Sequence, residues 1–235
     1  MSTYFIPDHV YFCITPEAAV FLDLRRDCYI GLERTEAVLL RDLIPGWPLS
    51  CGTHTPDQRR ALQLAATLES RGLVTRDHRC RKKDGTSAPS TVERRLYQRS
   101  HHRLPRIRIL TAIRFALAYF RSLASLHLSG LEKTVRRVER RKHRSRKSLC
   151  LDLEHARELT GAFTTLRPFF YSARNRCMLD SLVLIEFLAL HDVFPDWVIG
   201  VKTLPFTAHS WVQTGRFVLN GNPGYVRGYV PILVV

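Results

Sequence analysis

The chain has 235 residues, 45% of them hydrophobic, which is enough for one large domain or two small domains with real cores. Six scattered cysteines without a CxxC pair argue against a disulfide scaffold, and neither His101 with His102 nor His143 has a cysteine or carboxylate at metal-ligand spacing. We therefore expect a cytoplasmic protein with no metal and no cofactor. No secretion signal is expected, and no membrane span, because arginines interrupt the most apolar helical stretch, residues 107–131.

The net charge of +15 is concentrated in the middle of the chain. Residues 86–150 contain 17 basic and 3 acidic residues, whereas the flanking parts are close to neutral. This distribution predicts a module over residues 1–82, a basic and mostly helical linker over 83–148, and a second module over 149–235. The basic run is either a solvated face or a docking surface for an acidic partner.

The first module has the pattern of a winged helix-turn-helix. Alternating apolar residues over 19–32 predict two strands joined by a tight turn, and a helix is expected over 34–44. A second helix should follow, with Thr55 as N-cap, Pro56 in the first turn and Gly72 at the end, and residues 73–77 should form a returning strand or wing. A nucleic-acid-binding regulator with a basic arm is one interpretation. The module's near-neutral charge disfavours it, because phosphate contacts require many basic residues.

The stretch "FLDLRRDCYIGLERTEAVLLRDL" resembles the small module, similar to the PQQ-biosynthesis chaperone, that recognises leader peptides of ribosomally made natural products. The resemblance implies that a leader peptide adds as an extra strand beside the hairpin and lies against the last helix. The receiving edge would run from Cys28 to Leu32. Leu62 and Ala66 would line the helix side, although each could equally be a core residue. The leader-binding residues implied are Cys28, Tyr29, Ile30, Leu32, Leu62 and Ala66.

In the last module, Cys177 stands at the head of a strongly apolar predicted helix. Asn175 is the expected N-cap, so the sulfur would lie in the first turn. The positive end of the helix dipole, with Arg174 and Arg176 nearby, favours negative charge on the sulfur. A buried core cysteine is the alternative, because cysteines are among the most buried residues.

A second candidate is His209, in an alternating strand after which Thr214-Gly215 could form a two-residue turn. That turn would place Asn220 directly across from His209, with the two Cβ atoms about 5 Å apart. Cys177, His209 and Asn220 would then form a Cys-His-Asn site of the papain type, with the Cys177 N–H as first oxyanion donor.

The segments "C..DSL", "VIGV" and "PF.AHSWV" resemble the transglutaminase-like cysteine protease of lasso-peptide biosynthesis, the B protein that removes the leader. The resemblance implies an α+β fold, with a winged helix-like leader-binding module, a helical linker and a papain- or transglutaminase-like protease domain. It implies two partners, the precursor peptide and an asparagine-synthetase-like, ATP-dependent cyclase, and neither nucleic acid nor membrane.

One position departs from that family, which usually has an aspartate where this chain has Gly221. Asn220 is the preferred third catalytic residue on the predicted register, and Asn222 is the alternative. Asp180 or Asp192 could also fold back, although Asp180 is expected to cap or to form a salt bridge locally. An acyltransferase on the same Cys-His scaffold remains open.

Overall fold

The computed structural model describes residues 3–49, 57–80, 91–97, 107–145 and 152–235. The chain divides into two compact units, the first formed by residues 1–87 with 202–206 and the second by residues 88–201 with 207–235. Both units contain helices and sheet, so the predicted α+β class is confirmed.

The first unit is built on a three-stranded antiparallel sheet of order β1-β2-β3. The predicted hairpin is confirmed, with Ala19 opposite Leu32 and Asp23 opposite Cys28. The core lies on one face of this sheet, where Phe12, Phe21 and Trp47 stack. The elements are β1 Val10–Ile14, β2 Ala18–Asp23, β3 Cys28–Glu33, α1 Arg34–Ala37 and α2 Gln58–Ser70.

Helix α1 is much shorter than the helix expected over residues 34–44. It ends at Ala37 and continues only as a 3-10 turn, Val38–Leu40. The carbonyl of Ala37 accepts a hydrogen bond from the indole of Trp47, and the N–H of Arg41 donates to Val38 instead. The packing of one tryptophan thus takes the acceptor that a continuing helix would need.

Helix α2 starts later than predicted. Its N-cap is Asp57, whose carboxylate accepts from the N–H groups of Arg59 and Arg60. Thr55 and Pro56, the predicted start, lie outside the described residues. Gly72 has a φ of +73°, as expected for the residue that ends a helix. The winged-helix assignment itself stays a prediction, since residues 73–77 contribute only a bridge from Thr75 to Phe5.

The second unit packs helices against a five-stranded sheet of order β4-β7-β6-β5-β8. Its long central strands, β5 and β6, bring Trp197 and Trp211 into the interior. The elements are β4 Arg94–Arg95, α3 Ile109–Ala124, α4 Gly130–Ser145, α5 Leu153–Leu166, α6 Cys177–Ala189, β5 Asp196–Thr203, β6 Phe206–Thr214, β7 Phe217–Val218, α7 Pro223–Val226 and β8 Val230–Val234, with a π turn, Ser125–Ser129, between α3 and α4.

The linker predicted over residues 83–148 is divided differently in the structure. Helices α3 and α4 belong to the second unit, and α3 packs along α6. Phe115 is fully buried and meets Phe163 and Phe187 at ring-centroid distances of 5.5 and 5.8 Å. The prediction assigned α3 to the linker because of the charge of this segment, whereas the Phe115 side of α3 is a core surface of the second unit.

Part of the basic run has partners inside the fold. Arg137 and Arg141 of α4 donate to the two carboxylate oxygens of Glu186 on α6, at 2.9 and 2.7 Å. Lys142 pairs with Asp196 and with the main-chain oxygen of Val235. These basic groups therefore hold α4 onto its neighbours. Docking of an acidic partner stays a prediction for the rest of the run.

The continuous helical stretch Ile109–Arg144 meets the length and hydropathy criteria for a membrane span. The sequence predicted no span here. Core helices and signal sequences meet the same criteria, so this finding is weak evidence of a span, and the fold is also compatible with a protein that has none.

Candidate active site

Cys177 is the first residue of α6 and is half-buried. The predicted cap is wrong, because Arg176 occupies the N-cap position and its side chain makes no capping hydrogen bond. Asn175 instead has a φ of +60°, a left-handed conformation that asparagine tolerates better than most residues. The sulfur lies at the positive end of a 13-residue helix, as predicted.

Another described cysteine, Cys13, shows the opposite environment. Burial raises the pKa of the Cys13 thiol to about 12, so it stays protonated at neutral pH. Cys177 is more exposed than Cys13, and a nucleophile must reach its substrate. The alternative of a sealed core cysteine therefore does not describe Cys177.

His209 lies on β6, half-buried among aromatic rings. It stacks on Trp211 at a centroid distance of 6.2 Å and meets Tyr225 edge-on at 5.1 Å and Tyr229 at 5.4 Å. Trp211 in turn crosses Gly200 of β5, where a Cβ atom would lie 2.8 Å from the indole ring. Glycine in the "VIGV" segment is thus required for the tryptophan against which the imidazole stacks.

Tyr225 connects the cysteine with the histidine. Its pKa is raised, chiefly by its hydrogen bond with the Tyr229 hydroxyl at 2.6 Å, then by burial and by the negative charges of Tyr229 and Cys177. Tyr225 therefore lies close enough to Cys177 to sense its charge, and its ring contacts His209. Tyr225 is thus a neighbour of both Cys177 and His209, and the catalytic pairing of these two residues stays a prediction. Nothing in the sequence pattern indicated Tyr225.

The predicted register of the β6–β7 hairpin is wrong. Gln213 pairs with Val218 and Thr214 with Phe217, so the two central turn residues are Gly215 and Arg216. Gly215 has a φ of +50°, and glycine meets that requirement best at the first central position. The N–H of Leu219 donates to Val212, so an extension of this register would place Trp211, not His209, opposite Asn220.

Asn220 has a different set of contacts from the one expected. Its side-chain oxygen accepts from the N–H of Val212 at 2.8 Å, and its amide nitrogen donates to Asp180 at 2.9 Å and to Ser181 at 3.1 Å. It therefore ties the hairpin to the first turns of α6. A direct role of Asn220 in orienting His209 stays a prediction, but the register on which it was based is wrong. The alternative Asn222 caps α7 by accepting from the N–H of Gly224.

Asp180 is the buried centre of the hydrogen-bond network beside Cys177. Its carboxylate accepts from Arg167 at 3.2 and 3.3 Å, from the Tyr171 hydroxyl at 3.0 Å and from Asn220. Burial, with the charge of Asp180 as the next cause, raises the pKa of Tyr171. Asp180 therefore forms a salt bridge, but not the local one expected, because its partner Arg167 lies 13 residues earlier in the chain.

Gly221 lies where any side chain would be crowded by apolar atoms. A Cβ atom there would lie 3.1 Å from a methyl group of Val218 and 3.4 Å from one of Val226, both buried. An aspartate at position 221, as in the resembled family, would thus have its Cβ atom packed against two valines in this chain. This packing accounts for a glycine here.

The predicted leader-binding residues fall into two groups in the first unit. β3 is an edge strand of its sheet, as strand addition requires, and Tyr29 contacts Phe206 at 5.6 Å. Ile30 packs on the core, whereas Leu32, although largely buried, is among the residues that line the cavity beside this strand. Cys28 is half-buried, and Leu62 and Ala66 are exposed on α2, so neither of these two is the core residue of the alternative interpretation.

A cavity of about 590 Å³ lies beside β3 within this unit. Its walls include Tyr29 and Gly31 of β3, Val20 of β2, and Leu204 and Phe206 of the 202–206 segment. A Cβ at Gly31 would meet no atom within 4 Å, so the surface of the strand is open there. Within the described residues, no group of three or more His, Cys, Asp or Glu side chains could hold a metal ion.

Comparison with models of known families gave a match over the C-terminal half of the chain. The model of the transglutaminase-like superfamily matches residues 109–234, slightly more than half of the chain. The match begins at α3 and ends in β8, and it contains Cys177, His209 and Asn220. Comparisons with curated proteins and with solved structures gave no match.

Proposed function

Because the chain belongs to the transglutaminase-like superfamily, we propose that it is a leader peptidase of lasso-peptide maturation. The superfamily is consistent with a cysteine protease or an acyltransferase. The main support is the half-exposed Cys177 at the start of α6, linked through Tyr225 to His209. The resemblance of "PF.AHSWV" to the lasso-peptide B proteins favours the peptidase.

The proposed reaction begins when the Cys177 sulfur attacks the carbonyl carbon of the leader–core bond, with His209 having accepted the thiol proton. The tetrahedral oxyanion accepts from the main-chain N–H of Cys177 at the N-terminus of α6. As the C–N bond breaks, His209 returns the proton to the leaving amine of the core peptide. Water then attacks the thioester, His209 takes its proton and passes it to sulfur, and the leader leaves with a carboxylate.

The Asp180 network serves this reaction by fixing the helix that carries the nucleophile. Arg167, Tyr171 and Asn220 hold Asp180 one turn after Cys177. Asn220 is accordingly a positioning residue in this proposal. Trp211 and Tyr225 hold the imidazole from two sides.

Capture of the leader is assigned to the edge of β3 in the first unit. An extended leader would pair with β3, and side chains of alternate residues would enter the cavity lined by Val20, Tyr29 and Phe206. Two units in one chain raise the effective concentration of the scissile bond once the leader is bound. The freed amine would then pass to the asparagine-synthetase-like cyclase, which closes the ring with ATP.

The reaction is tested by incubating the protein with a precursor peptide encoded beside its gene and measuring product masses. Hydrolysis predicts a core peptide with a free amine and a leader with a free carboxylate, also when methylamine is present in excess. A leader carrying a methylamide as the main product would identify an acyltransferase instead. An intact precursor under all conditions would contradict the proposal.

Strand addition is tested with Tyr29→Pro and Ile30→Pro in β3. Neighbouring N–H groups on an edge strand alternate between the adjoining strand and the open edge, so one of these prolines removes an outward donor and the other an inward one. The outward variant should keep its circular dichroism spectrum and lose leader binding. Unchanged binding in both folded variants would refute capture at this edge.

A further inference from the structure

The side of α3 that faces away from α6 is apolar and exposed. Ile109 and Phe120 are 81% and 62% exposed. The opposite side of the same helix is buried, at Phe115, Ala118 and Ser122. The exposed side chains recur at three- and four-residue spacing and form one stripe, which consists of Ile109, Leu110, Ile113, Leu117 and Phe120.

A soluble surface rarely places five large apolar side chains side by side, because each is left in contact with water. A helix that is apolar on nearly all sides is typical of one covered on both faces. Helix α6 covers only the Phe115 side of α3. The apolar stripe therefore marks an interaction surface.

The charged side chains along the helix that carries the stripe are all positive. Residues 107–131 contain no aspartate or glutamate, and Arg108 and Arg121 are exposed on α3. Long arginine side chains beside an apolar face can extend to anionic headgroups while their stems stay on apolar surface. An apolar stripe with a basic border is the pattern of a helix that lies in a membrane interface.

We propose that α3 binds the surface of an anionic lipid bilayer, with its exposed stripe inserted among the headgroups and its arginines paired with lipid phosphates. The helix lies along the surface and does not cross it, since its other face packs on α6. The sequence predicted no membrane partner, because it could not show that this face is exposed. The proposal is independent of the peptidase reaction.

Two other occupants fit less well. A second copy of the chain would bring Arg108 and Arg121 against their own counterparts, and like charges repel across such a contact. A protein partner would need a groove matching the convex side of a single helix, whereas a fluid bilayer adapts to it without a preformed shape.

The test measures co-sedimentation of the full chain with vesicles of phosphatidylcholine alone and of phosphatidylcholine mixed with phosphatidylglycerol. We expect strong binding only to the mixed vesicles, weakened by salt. Leu117→Gln should reduce binding about tenfold, because a leucine leaves the apolar interface. Arg108→Gln with Arg121→Gln should reduce it by roughly 25-fold on mixed vesicles, at about fivefold per charge.

Leu153→Gln is the matched control, because Leu153 of α5 is 45% exposed and Leu117 is 46% exposed. It should leave binding unchanged. All variants change exposed side chains, and circular dichroism verifies their folding. The proposal is overturned if the folded protein does not bind mixed vesicles or if Leu117→Gln binds them like the wild type. It is also overturned if light scattering shows a dimer that Leu117→Gln dissociates.

Discussion

Cys177 and Asp180 lie one turn apart on α6, and their surroundings differ in almost every respect. Asp180 is 3% exposed, and Arg167, Tyr171 and Asn220 donate hydrogen bonds to its carboxylate. Cys177 is half-exposed, and the rings of Tyr225 and His209 lie in the same region. A single helix thus carries an anchor and a reactive group, and the comparison separates residues that hold the site from residues that react.

Cys177→Ala should have the largest effect on activity and almost none on stability. The nucleophile is lost, so leader removal should fall at least about a thousandfold, while leader binding stays intact. Mass analysis of the precursor measures the first quantity and fluorescence anisotropy of a labelled leader the second. Cleavage retained by Cys177→Ala would show that another residue is the nucleophile.

Asp180→Ala should have the largest effect on stability. Its removal leaves Arg167 and the buried Tyr171 hydroxyl without their acceptor, and breaking such a buried pair costs about 3–5 kcal/mol of unfolding free energy. Chemical denaturation measures the change. Glu154→Ala, which breaks the exposed pair with Arg157, is the control and should cost under about 0.5 kcal/mol. Equal losses of unfolding free energy in the two variants would show that Asp180 stabilises the fold no more than an exposed ion pair does.

Gly221→Asp tests whether the missing family aspartate can be restored. The new side chain would start toward Val218 and Val226, so we expect a loss of roughly 1–3 kcal/mol and no gain in cleavage rate. Gly221→Ala adds only the crowded Cβ atom and should cost less. A faster Gly221→Asp enzyme would show that the carboxylate reaches His209 after all.

Tyr225→Phe should have the smallest effect. The ring that contacts His209 remains, but the hydroxyl near Cys177 is lost, and its raised pKa keeps that hydroxyl protonated in the wild type. We expect kcat to fall up to about tenfold, with little change in KM or in unfolding free energy. Tyr229→Phe removes the hydroxyl that hydrogen-bonds with Tyr225 and with Thr207 and should reduce kcat less. A larger loss in Tyr229→Phe would assign the effect to packing.

The sequence predicted features that depend on neighbouring residues. Alternation over residues 19–32 predicted the β2–β3 hairpin, and apolar content predicted the helix after Cys177. The β6–β7 register was missed by a single turn position, because Gly215 can serve as either central residue and the residue pattern does not distinguish them.

Contacts between distant residues were beyond prediction. The link from Arg167 to Asp180 and the link from Asn220 to α6 depend on how the elements pack. The two faces of α3 are equally apolar in sequence, so only the fold separates the core face with Phe115 from the exposed face with Phe120.

Glu186 gives α6 a second attachment. The helix has two charged residues, Asp180 and Glu186, and both are buried and bound by arginines of other elements. Sliding or rotation of α6 would break ion pairs at two points along the helix, so the backbone of Cys177 is held in place. In the proposed reaction, adjustment to a substrate would come from rotation of the Cys177 side chain or from the strand that carries His209, and variants that loosen β6 should alter the rate without moving the backbone of Cys177.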